Sequence, residues 1–317
     1  MDRRKSSLRK NFEVHSGYLL FKLWAFWVTH LSLESLDFYG EKIGIIAHSL
    51  LRKRRRAALN NLRLALGKEK TEEEIERICR DCFKNIGKDM MEISRCFDIE
   101  NSFFKTLLKL EGRDHLDHAL KEGKGVIALT GHFGNFPLMN VQLAKEGYPI
   151  SIVARDPENP KVAKKISSFR DAIGMEFIPD KPRSTCVSKC LKALKNNRIL
   201  LMQIDQNAPS TEVWVDFFGY LVPTFKGPVI LSLRTGAPII PMFIIRNPDF
   251  LQITIYPPFK LNITGDPQQD ITSNIARLTK IIEATIREYP EQWWWIHRRF
   301  KRARDPKTGE RLFHKRP

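Results

Sequence analysis

Short apolar runs alternate with amphipathic segments over most of the chain. Four runs have the length and composition of buried strands: residues 125–130, 150–154, 198–204 and 238–245. Helical spacing of apolar residues predicts helices between and after these runs, near residues 160–173, 185–196, 228–235 and 271–289. Strands that alternate with helices favour a mostly parallel central sheet flanked by helices, so an α/β fold is expected.

Several predicted helix ends carry local signals. Thr71 and Glu74 form a capping box at the start of an amphipathic helix. Pro228 lies in the first turn of a short helix, and Gly236 follows its last residue. The final helix is expected to stop at Pro290. The sequence contains no internal repeat and no low-complexity linker, so these elements are expected to form one domain.

The N-terminal region has a different pattern. Basic residues crowd its first ten positions: Arg3, Arg4, Lys5, Arg9 and Lys10. An aromatic-rich apolar run follows at 18–33, but Lys22 and His30 interrupt it, and it is shorter than the roughly 20 apolar residues of a spanning helix. Insertion along a membrane interface, with Trp24 and Trp27 at headgroup level, is favoured. A single span with a cytoplasmic N-terminus and an ordinary buried helix remain alternatives.

The chain is strongly basic. Its 53 lysines and arginines against 36 acidic residues give a formal charge of +17 over 317 residues, which implies anionic partners. Five consecutive basic residues, Arg52–Arg56, form an ordinary solvated helix face or attract an anionic leaflet at about 1 kcal/mol each. The sequence has no nucleic-acid-binding motif, so no nucleic-acid partner is expected. We expect a membrane-associated helical segment at residues 1–60 and a catalytic domain at 61–317.

The five cysteines give no metal or disulfide signal. Cys79 and Cys82 have a C-x-x-C spacing, but they fall on the apolar face of a predicted helix. Cys186 and Cys190 are spaced similarly on another helix, and no histidine stands at zinc-finger spacing from either pair. We expect buried, reduced side chains, a reducing compartment on the cytoplasmic side and no metal site.

The strongest chemical candidate is His132. It follows the apolar run 126–130 and has Gly131 and Gly134 on either side. A histidine at the carboxyl end of a buried strand lies where α/β sheets bind their ligands. Neutral imidazole can accept a proton at working pH, and the glycines permit close backbone approach and offer N–H donors. A structural or surface histidine is the ordinary alternative.

Further motifs accompany this histidine in a fixed order. They are Asp205-Gln206, the run 215–219 (Val-Asp-Phe-Phe-Gly), Gly227-Pro228, the run 234–238 (Arg-Thr-Gly-Ala-Pro) and the run 292–299 (Gln-Trp-Trp-Trp-Ile-His-Arg-Arg). With them the chain resembles the late acyltransferases of lipid A biosynthesis, the lauroyl/myristoyl transferase family, over nearly its whole length. This family lies in the lysophospholipid acyltransferase-like superfamily and includes phosphatidylinositol-mannoside acyltransferases. In the family pattern the histidine is followed by four residues and then by Glu or Asp. The chain departs from this pattern because the position of the acid is Pro137.

The resemblance implies a bacterial enzyme at the inner membrane, with its catalytic domain facing the cytoplasm and a glycerolipid acyltransferase-like fold. It would transfer a fatty acyl chain from acyl carrier protein to a hydroxyl of a lipid A precursor or a related glycolipid. The thioester supplies the driving force, so no cofactor is expected. Another acceptor remains open: a phospholipid, an ornithine lipid or a mannoside. Because of Pro137, an inactive lipid-binding relative also remains open.

A carboxylate normally orients a catalytic histidine, and Pro137 cannot do so. Asp205 is the expected substitute because it ends a predicted strand, and parallel strands bring their carboxyl ends to one sheet edge. A turn role is the ordinary alternative for this aspartate. Asp216 and Glu212 are reserves, and Asn135 or a backbone carbonyl is a further candidate for orienting His132.

The candidate substrate-binding residues are Gly134 and Asn135, beside the histidine, and three arginines that the resemblance implies, Arg155, Arg170 and Arg234. Arginines at the mouth of a site suit phosphate, a sugar headgroup or phosphopantetheine, although ordinary surface charge explains them equally well. The three tryptophans at 293–295 fit either core packing or a membrane interface. His297, in the same run, is an alternative base.

Overall fold

The computed structural model describes residues 2–96 and 107–312, and for residues 2–11 it describes the backbone alone. Four helices come first: α1 (Asp2–Thr29), α2 (Leu33–Leu50), α3 (Arg52–Leu66) and α4 (Glu72–Arg95). The axes of α2 and α4 cross closely because glycines meet at the contact. A Cβ atom on Gly87 would lie 2.1 Å from the carbonyl oxygen of Gly40, so no larger residue fits there.

The remaining elements alternate as the sequence predicts. In chain order they are β1 (Leu108–Glu111), α5 (Arg113–Lys121), β2 (Val126–Thr130), α6 (Phe136–Lys145), β3 (Ile150–Ala154), α7 (Pro160–Ala172), β4 (Glu176–Pro179), α8 (Arg183–Lys195), β5 (Ile199–Gln203), β6 (Val213–Phe217), β7 (Tyr220–Thr224), α9 (Gly227–Thr235), β8 (Ile239–Arg246), β9 (Leu251–Ile255) and α10 (Pro267–Glu288). Short 3-10 turns follow at Pro290–Gln292 and Arg299–Arg302.

Seven strands form one sheet in the order β1-β9-β8-β2-β5-β3-β4, and β6 pairs with β7 in a separate antiparallel hairpin. All pairs in the large sheet are parallel except β8 with β9. Thr130 at the end of β2 is in register with Gln203 at the end of β5. The predicted α/β fold with a mostly parallel, helix-flanked sheet is therefore confirmed, and two neighbouring strands end side by side.

Both faces of the sheet are covered. Successive side chains of β2 alternate between two buried clusters: Ile127 and Leu129 pack with α3, α4 and α10, while Val126 and Ala128 pack with α5 and α6. All five β2 residues are buried. A strand buried on both faces reads as a continuous apolar run, which is why this element was visible in the sequence.

The predicted helix signals are present. The Thr71 hydroxyl and the Glu74 carboxylate make the reciprocal bonds of a capping box at the start of α4. Gly236 follows α9 with a φ of 72°. The last helix ends where expected but begins at Pro267, four residues earlier than predicted, because Asp266 caps it by accepting from Gln268 and Gln269. Five strands were not predicted: β1, β4, β6, β7 and β9.

The cysteines are free, as expected, and all but Cys186 are fully buried. Burial raises the pKa of the Cys79 and Cys190 thiols to about 12, so they remain protonated. These side chains pack as small apolar groups in the core that covers one face of the sheet.

The N-terminal helices lie against α4. Trp24 donates its indole N–H to the Ser94 hydroxyl at 2.9 Å, and Val28 is fully buried, whereas Trp27 is exposed. Within residues 2–96 and 107–312, no helix combines the length and the apolar character needed to cross a membrane. The side chains of the basic flank at residues 3–10 lie outside the described ones. The expected division after residue 60 falls inside α3, which is continuous there.

Candidate active site

His132 lies two residues beyond β2, in a turn that approaches two other strands. A Cβ atom on Gly131 would lie 3.0 Å from Oδ2 of Asp205, so glycine permits that carboxylate to sit close. Gly134 has a φ of 51°, and its Cβ would meet the Ile244 carbonyl oxygen at 2.2 Å. Close packing thus excludes a side chain at Gly134, and a side chain at Gly131 would crowd the Asp205 carboxylate.

The Asp205 carboxylate holds His132 from two sides. Its Oδ1 lies 2.9 Å from Nδ1 of the imidazole, and its Oδ2 accepts the His132 backbone N–H at 2.6 Å. Trp293 donates its indole N–H to the same Oδ2 at 2.8 Å. This geometry follows from the sheet, because β2 and β5 are parallel neighbours whose ends coincide. The proximity expected for Asp205 is present.

Asp205 is buried and ionised. Burial alone would raise its pKa, but attraction to His132 and the three hydrogen bonds lower the pKa of the carboxyl to about 2. An ionised carboxylate only accepts hydrogen bonds, so the facing Nδ1 carries a hydrogen. In the neutral imidazole the lone pair is then on Nε2, the atom directed away from Asp205.

Aromatic and amide groups surround the Nε2 side of the ring. The amide nitrogen of Gln206 lies 2.7 Å from Nε2. The rings of Phe136 and His297 are each centred 5.1 Å from the imidazole, and Trp294 stacks on His297. Burial lowers the pKa of His297 to about 4, and repulsion from Arg54, and from His132 when that ring is protonated, adds to the effect, so this second histidine is neutral near pH 7.

Pro137 occupies the first turn of α6. Asn135 caps that helix by accepting the Leu138 N–H at 3.2 Å, and a proline is well suited to the first turn because its missing N–H needs no partner there. The position that is acidic in the family pattern therefore begins a helix. In this chain the carboxylate beside His132 comes from the neighbouring strand, through Asp205.

Asn135 and Gly134 make structural contacts here. The Asn135 amide donates to Glu92 Oε2 at 2.8 Å and to the Asp89 carbonyl at 3.3 Å. Arg246 forms ion pairs with the side chains of both of these acids, at 2.7 Å to Asp89 and 2.6 Å to Glu92. The Gly134 N–H donates to the Gln292 carbonyl at 2.8 Å. The polar groups expected to meet substrate at these two positions are thus engaged by the protein itself.

The three arginines expected at the site differ in position. Arg155 follows β3 at the same sheet edge as His132, is 72% exposed and pairs with Asp180 at 2.8 Å. Arg170 pairs with Asp156 at 3.0 Å and covers the Phe177 ring. Arg234 lies in the last turn of α9, which leads into the start of β8, so it is at the opposite edge of the sheet. The structure does not bring Arg234 to His132.

The reserve carboxylates also lie elsewhere. Asp216 pairs with Lys280, and Glu212 accepts from Arg183 and from the Lys226 backbone. Neither contacts His132 in the described structure. Within the described ranges, no three histidine, cysteine or acidic side chains are grouped so as to hold a metal ion.

The segment after α10 contributes Trp293 and Arg299, to which no site role was given in advance. Residues 292–294 run antiparallel to the His132 turn, with Phe133 opposite Trp293. Trp293 and Trp295 are buried at 1% and 0% exposure, so core packing is the correct interpretation for them. Arg299 is also fully buried and donates to the carbonyls of Gln206 and Pro223 at 2.7 Å each. The motif was visible in the sequence, but its pairing with the histidine turn is a long-range contact.

An α/β sheet with a partly buried histidine, oriented by a buried carboxylate at the carboxyl end of its strands, is an arrangement typical of enzymes. The sequence specifies which one: the profile of the family described as bacterial lipid A biosynthesis acyltransferase matches residues 4–302. The chain belongs to this family and is an acyltransferase, as the motif resemblance indicated.

Characterised relatives agree with this assignment. The chain is 26% identical over 302 residues to the lipid A biosynthesis palmitoleoyltransferase of Escherichia coli (strain K12), covering 91% of this chain and 93% of that protein. It is 24% identical over 266 residues to the lipid A biosynthesis lauroyltransferase of the same organism, covering 83% and 84%. It is 26% identical over 184 residues to the phosphatidylinositol mannoside acyltransferase of Mycolicibacterium smegmatis (strain ATCC 700084 / mc(2)155), covering 57% and 58%.

Proposed function

We propose that this protein transfers a fatty acyl chain from acyl carrier protein to a hydroxyl of a lipid A precursor or a related glycolipid, with His132 as general base. The observation that carries the proposal is the 2.9 Å contact between His132 Nδ1 and Asp205 Oδ1. It leaves the lone pair on Nε2, on the side of the ring away from the carboxylate, where an acceptor hydroxyl would have to bind to be deprotonated.

The reaction needs one base and no bound cofactor. The acceptor hydroxyl gives its proton to His132 Nε2 while its oxygen attacks the thioester carbonyl carbon. Asp205, ionised and buried, stabilises the imidazolium that forms. When the tetrahedral intermediate collapses, the carbon–sulfur bond breaks and the imidazolium returns the proton to the leaving thiolate. The histidine is thereby restored, and the products are the acylated acceptor and the free thiol of the carrier.

Acyl carrier protein as donor is supported by charge. The chain carries a formal charge of +17. The side chains of Arg52, Lys53, Arg54 and Arg56 are exposed at the start of α3. Asn61, on the same helix, donates to the Trp295 carbonyl at 2.7 Å, so α3 is joined directly to the segment that carries His297. An acidic carrier docked on this basic turn would have its thioester within reach of the site.

The names of the relatives support two classes of acceptor. Two Escherichia coli relatives are named for lipid A biosynthesis and align with most of this chain, which supports a lipid A precursor. A mannoside acceptor is the second candidate, because phosphatidylinositol mannoside acyltransferases of mycobacteria also align, over shorter segments. A phospholipid or an ornithine lipid is supported by neither set of names.

Pro137 alone would favour an inactive lipid-binding relative. Against inactivity, the site has an ionised carboxylate in contact with the histidine, supplied by Asp205. Burying an ionised carboxylate is costly unless it is bonded, and here every bond joins it to His132 or to Trp293. Activity is therefore the better account.

We further propose that residues 1–60 hold the enzyme on the anionic cytoplasmic surface of the inner membrane, with the catalytic domain in the cytoplasm. Large apolar side chains of α1 and α2 face outward: Leu19, Leu20, Leu23, Phe26, Trp27, Phe38, Tyr39 and Ile46. Trp27 and Tyr39 touch at 5.2 Å between ring centres, so the two apolar faces are continuous. Such a patch beside a basic run fits the interface of an anionic leaflet.

The test is a transfer assay with purified full-length protein. Lauroyl, myristoyl and palmitoyl thioesters of acyl carrier protein are offered with a lipid A precursor, a phosphatidylinositol mannoside or phosphatidylglycerol, and products are identified by mass spectrometry. We expect an acylated lipid A precursor with the wild type and no product with His132→Ala. Undiminished product from His132→Ala would contradict the mechanism, and product from the mannoside alone would replace the acceptor.

A further inference from the structure

The proposed base makes a contact with a side chain of the protein through the nitrogen that carries its lone pair. The side-chain nitrogen of Gln206 lies 2.7 Å from His132 Nε2 and 3.5 Å from His297 Nε2. Because Nδ1 of His132 donates to Asp205, Nε2 accepts, and an amide nitrogen only donates. The contact is therefore a hydrogen bond from Gln206 to the atom that must take the acceptor's proton.

An acceptor hydroxyl needs the same position. To transfer its proton, its oxygen must lie within hydrogen-bond distance of His132 Nε2. The glutamine amide nitrogen is at that distance now, between two imidazole rings whose centres are 5.1 Å apart. The hydroxyl and the amide cannot both be there, so the amide has to move before the reaction begins.

The backbone of Gln206 is fixed, while its side chain is not enclosed. Arg299, fully buried, donates to the Gln206 carbonyl and to the Pro223 carbonyl, so it ties the glutamine to the end of β7. The side chain itself is only partly buried. Because only its backbone is fixed and its amide makes contacts through one nitrogen, the Gln206 side chain can rotate away from His132 and return.

We propose that Gln206 determines specificity for a lipid hydroxyl over water: its amide occupies His132 Nε2 until a bound acceptor displaces it. This inference rests on the proposed function. A lipid acceptor is held by contacts remote from the reacting hydroxyl, and that binding energy offsets the loss of the amide hydrogen bond. Water has no remote contacts with which to compete. The thioester is then protected from hydrolysis until an acceptor binds.

The reaction that Gln206 would suppress is hydrolysis of the acyl thioester. Water attacks the thioester carbonyl, a carbon–oxygen bond forms, and the proton of water passes to His132 Nε2. The carbon–sulfur bond breaks, and the imidazolium returns that proton to the leaving thiolate. The products are a free fatty acid and the thiol of the carrier, with no oxidant, reductant or metal required.

The experiment compares hydrolysis with transfer in one set of variants. Hydrolysis of palmitoyl-acyl carrier protein is measured without acceptor, and transfer is measured with the best acceptor of the panel. In Gln206→Ala and Gln206→Met, which lack the donor, we expect the ratio of hydrolysis to transfer to rise by about tenfold, the effect of one hydrogen bond. Gln142→Ala, a glutamine on the surface of α6 bonded to Glu146, is the matched control and should keep the wild-type ratio.

Each outcome bears on the inference. A ratio that stays at the wild-type value in both folded variants overturns it, and so does a parallel fall of hydrolysis and transfer, which would make Gln206 a donor to the transition state. Thermal unfolding establishes which variants are folded, and the methionine variant, similar in length to glutamine, serves if the alanine variant is not. Adding His132→Ala to Gln206→Ala should abolish the extra hydrolysis. If hydrolysis persists there, the proposed base fails, independently of the role of Gln206.

Discussion

Asp205 binds both the ring and the backbone of His132, with its two carboxylate oxygens 2.9 Å from Nδ1 and 2.6 Å from the backbone nitrogen. A carboxylate that also accepts from the peptide N–H fixes the position of the histidine as well as its tautomer. The backbone contact exists because Gly131 leaves room for Oδ2. The contact between His132 and Asp205 thus depends on two adjacent parallel strands and on Gly131.

Asp205→Asn should lower turnover by about 10²-fold or more, because an amide can donate to Nδ1 and favour the wrong tautomer of His132. The binding of acyl carrier protein should change little, since the substitution is buried. Turnover and KM are measured with the best thioester and acceptor, and thermal unfolding checks the fold. Turnover close to the wild-type value would remove Asp205 from the mechanism.

Pro137→Glu should not restore activity to Asp205→Asn. Residue 137 lies in the first turn of α6, and Nδ1 of His132 faces Asp205, two residues beyond the end of β5. A glutamate there would meet the N-terminal end of a helix, which favours negative charge without bringing it to the imidazole. The measurement is turnover of the single and double variants. Recovery of more than about tenfold in the double variant would show that the helix position reaches the histidine after all.

The positions of His132 and Asp205 at the strand ends were predictable, whereas the contacts of Trp293 and His297 with the site were not. His132 and Asp205 each follow a continuous apolar run, and the rule that parallel strands end together was enough to place them at one edge. Trp293 and His297 reach the site through a segment that pairs with residue 133 across the chain, and no local pattern predicts such a pairing. The sequence therefore revealed the motif but not its contacts.

The errors also have local causes. Arg234 was expected among the substrate-binding residues, yet it lies in the last turn of α9, which leads into the start of β8 at the edge of the sheet opposite His132. Strand β7 was missed because it includes Pro223, which weakens a strand pattern. Strands β1 and β4 have four residues each, too few to show a period.

His297→Gln should make stability less sensitive to acid. The pKa of His297 falls from its ordinary 6.5 to about 4 in the folded protein, so the unfolded chain binds the proton more readily. Its contribution is fully present above about pH 6.5 and is lost as the pH falls toward about 4. Between about pH 7 and about pH 5, the wild type should lose about 1–2 kcal/mol more unfolding free energy than the variant.

Urea unfolding at a series of pH values measures this difference. Comparing the two proteins cancels the contributions of other titrating groups, which both share. Parallel pH curves for the wild type and His297→Gln would mean that the histidine is protonated equally in the folded and unfolded states, contrary to its burial beside His132.

Arg246→Met should destabilise the fold by about 3–5 kcal/mol, because it leaves two buried acids without their cation. Arg246 donates to Asp89 at 2.7 Å and to Glu92 at 2.6 Å, and its side chain is 16% exposed. Arg113→Met is the matched control: Arg113 pairs with Glu146 at 2.8 Å but is 47% exposed, so its loss should cost less than about 1 kcal/mol. Equal losses in urea unfolding would contradict the distinction between these pairs.

Membrane binding should depend on the outward face of α1. Leu23 and Phe26 are 57% and 66% exposed there, and neither supports the packing of α1 on α4, which uses Trp24 and Val28. Replacing both with glutamate removes apolar contact and adds charge, so binding to phosphatidylglycerol-containing vesicles should fall by about tenfold or more. Leu233→Glu, at a 41% exposed position on α9, is the control and should bind like the wild type. Vesicle sedimentation measures the bound fraction, and unchanged binding of the double variant would exclude this face as the membrane contact.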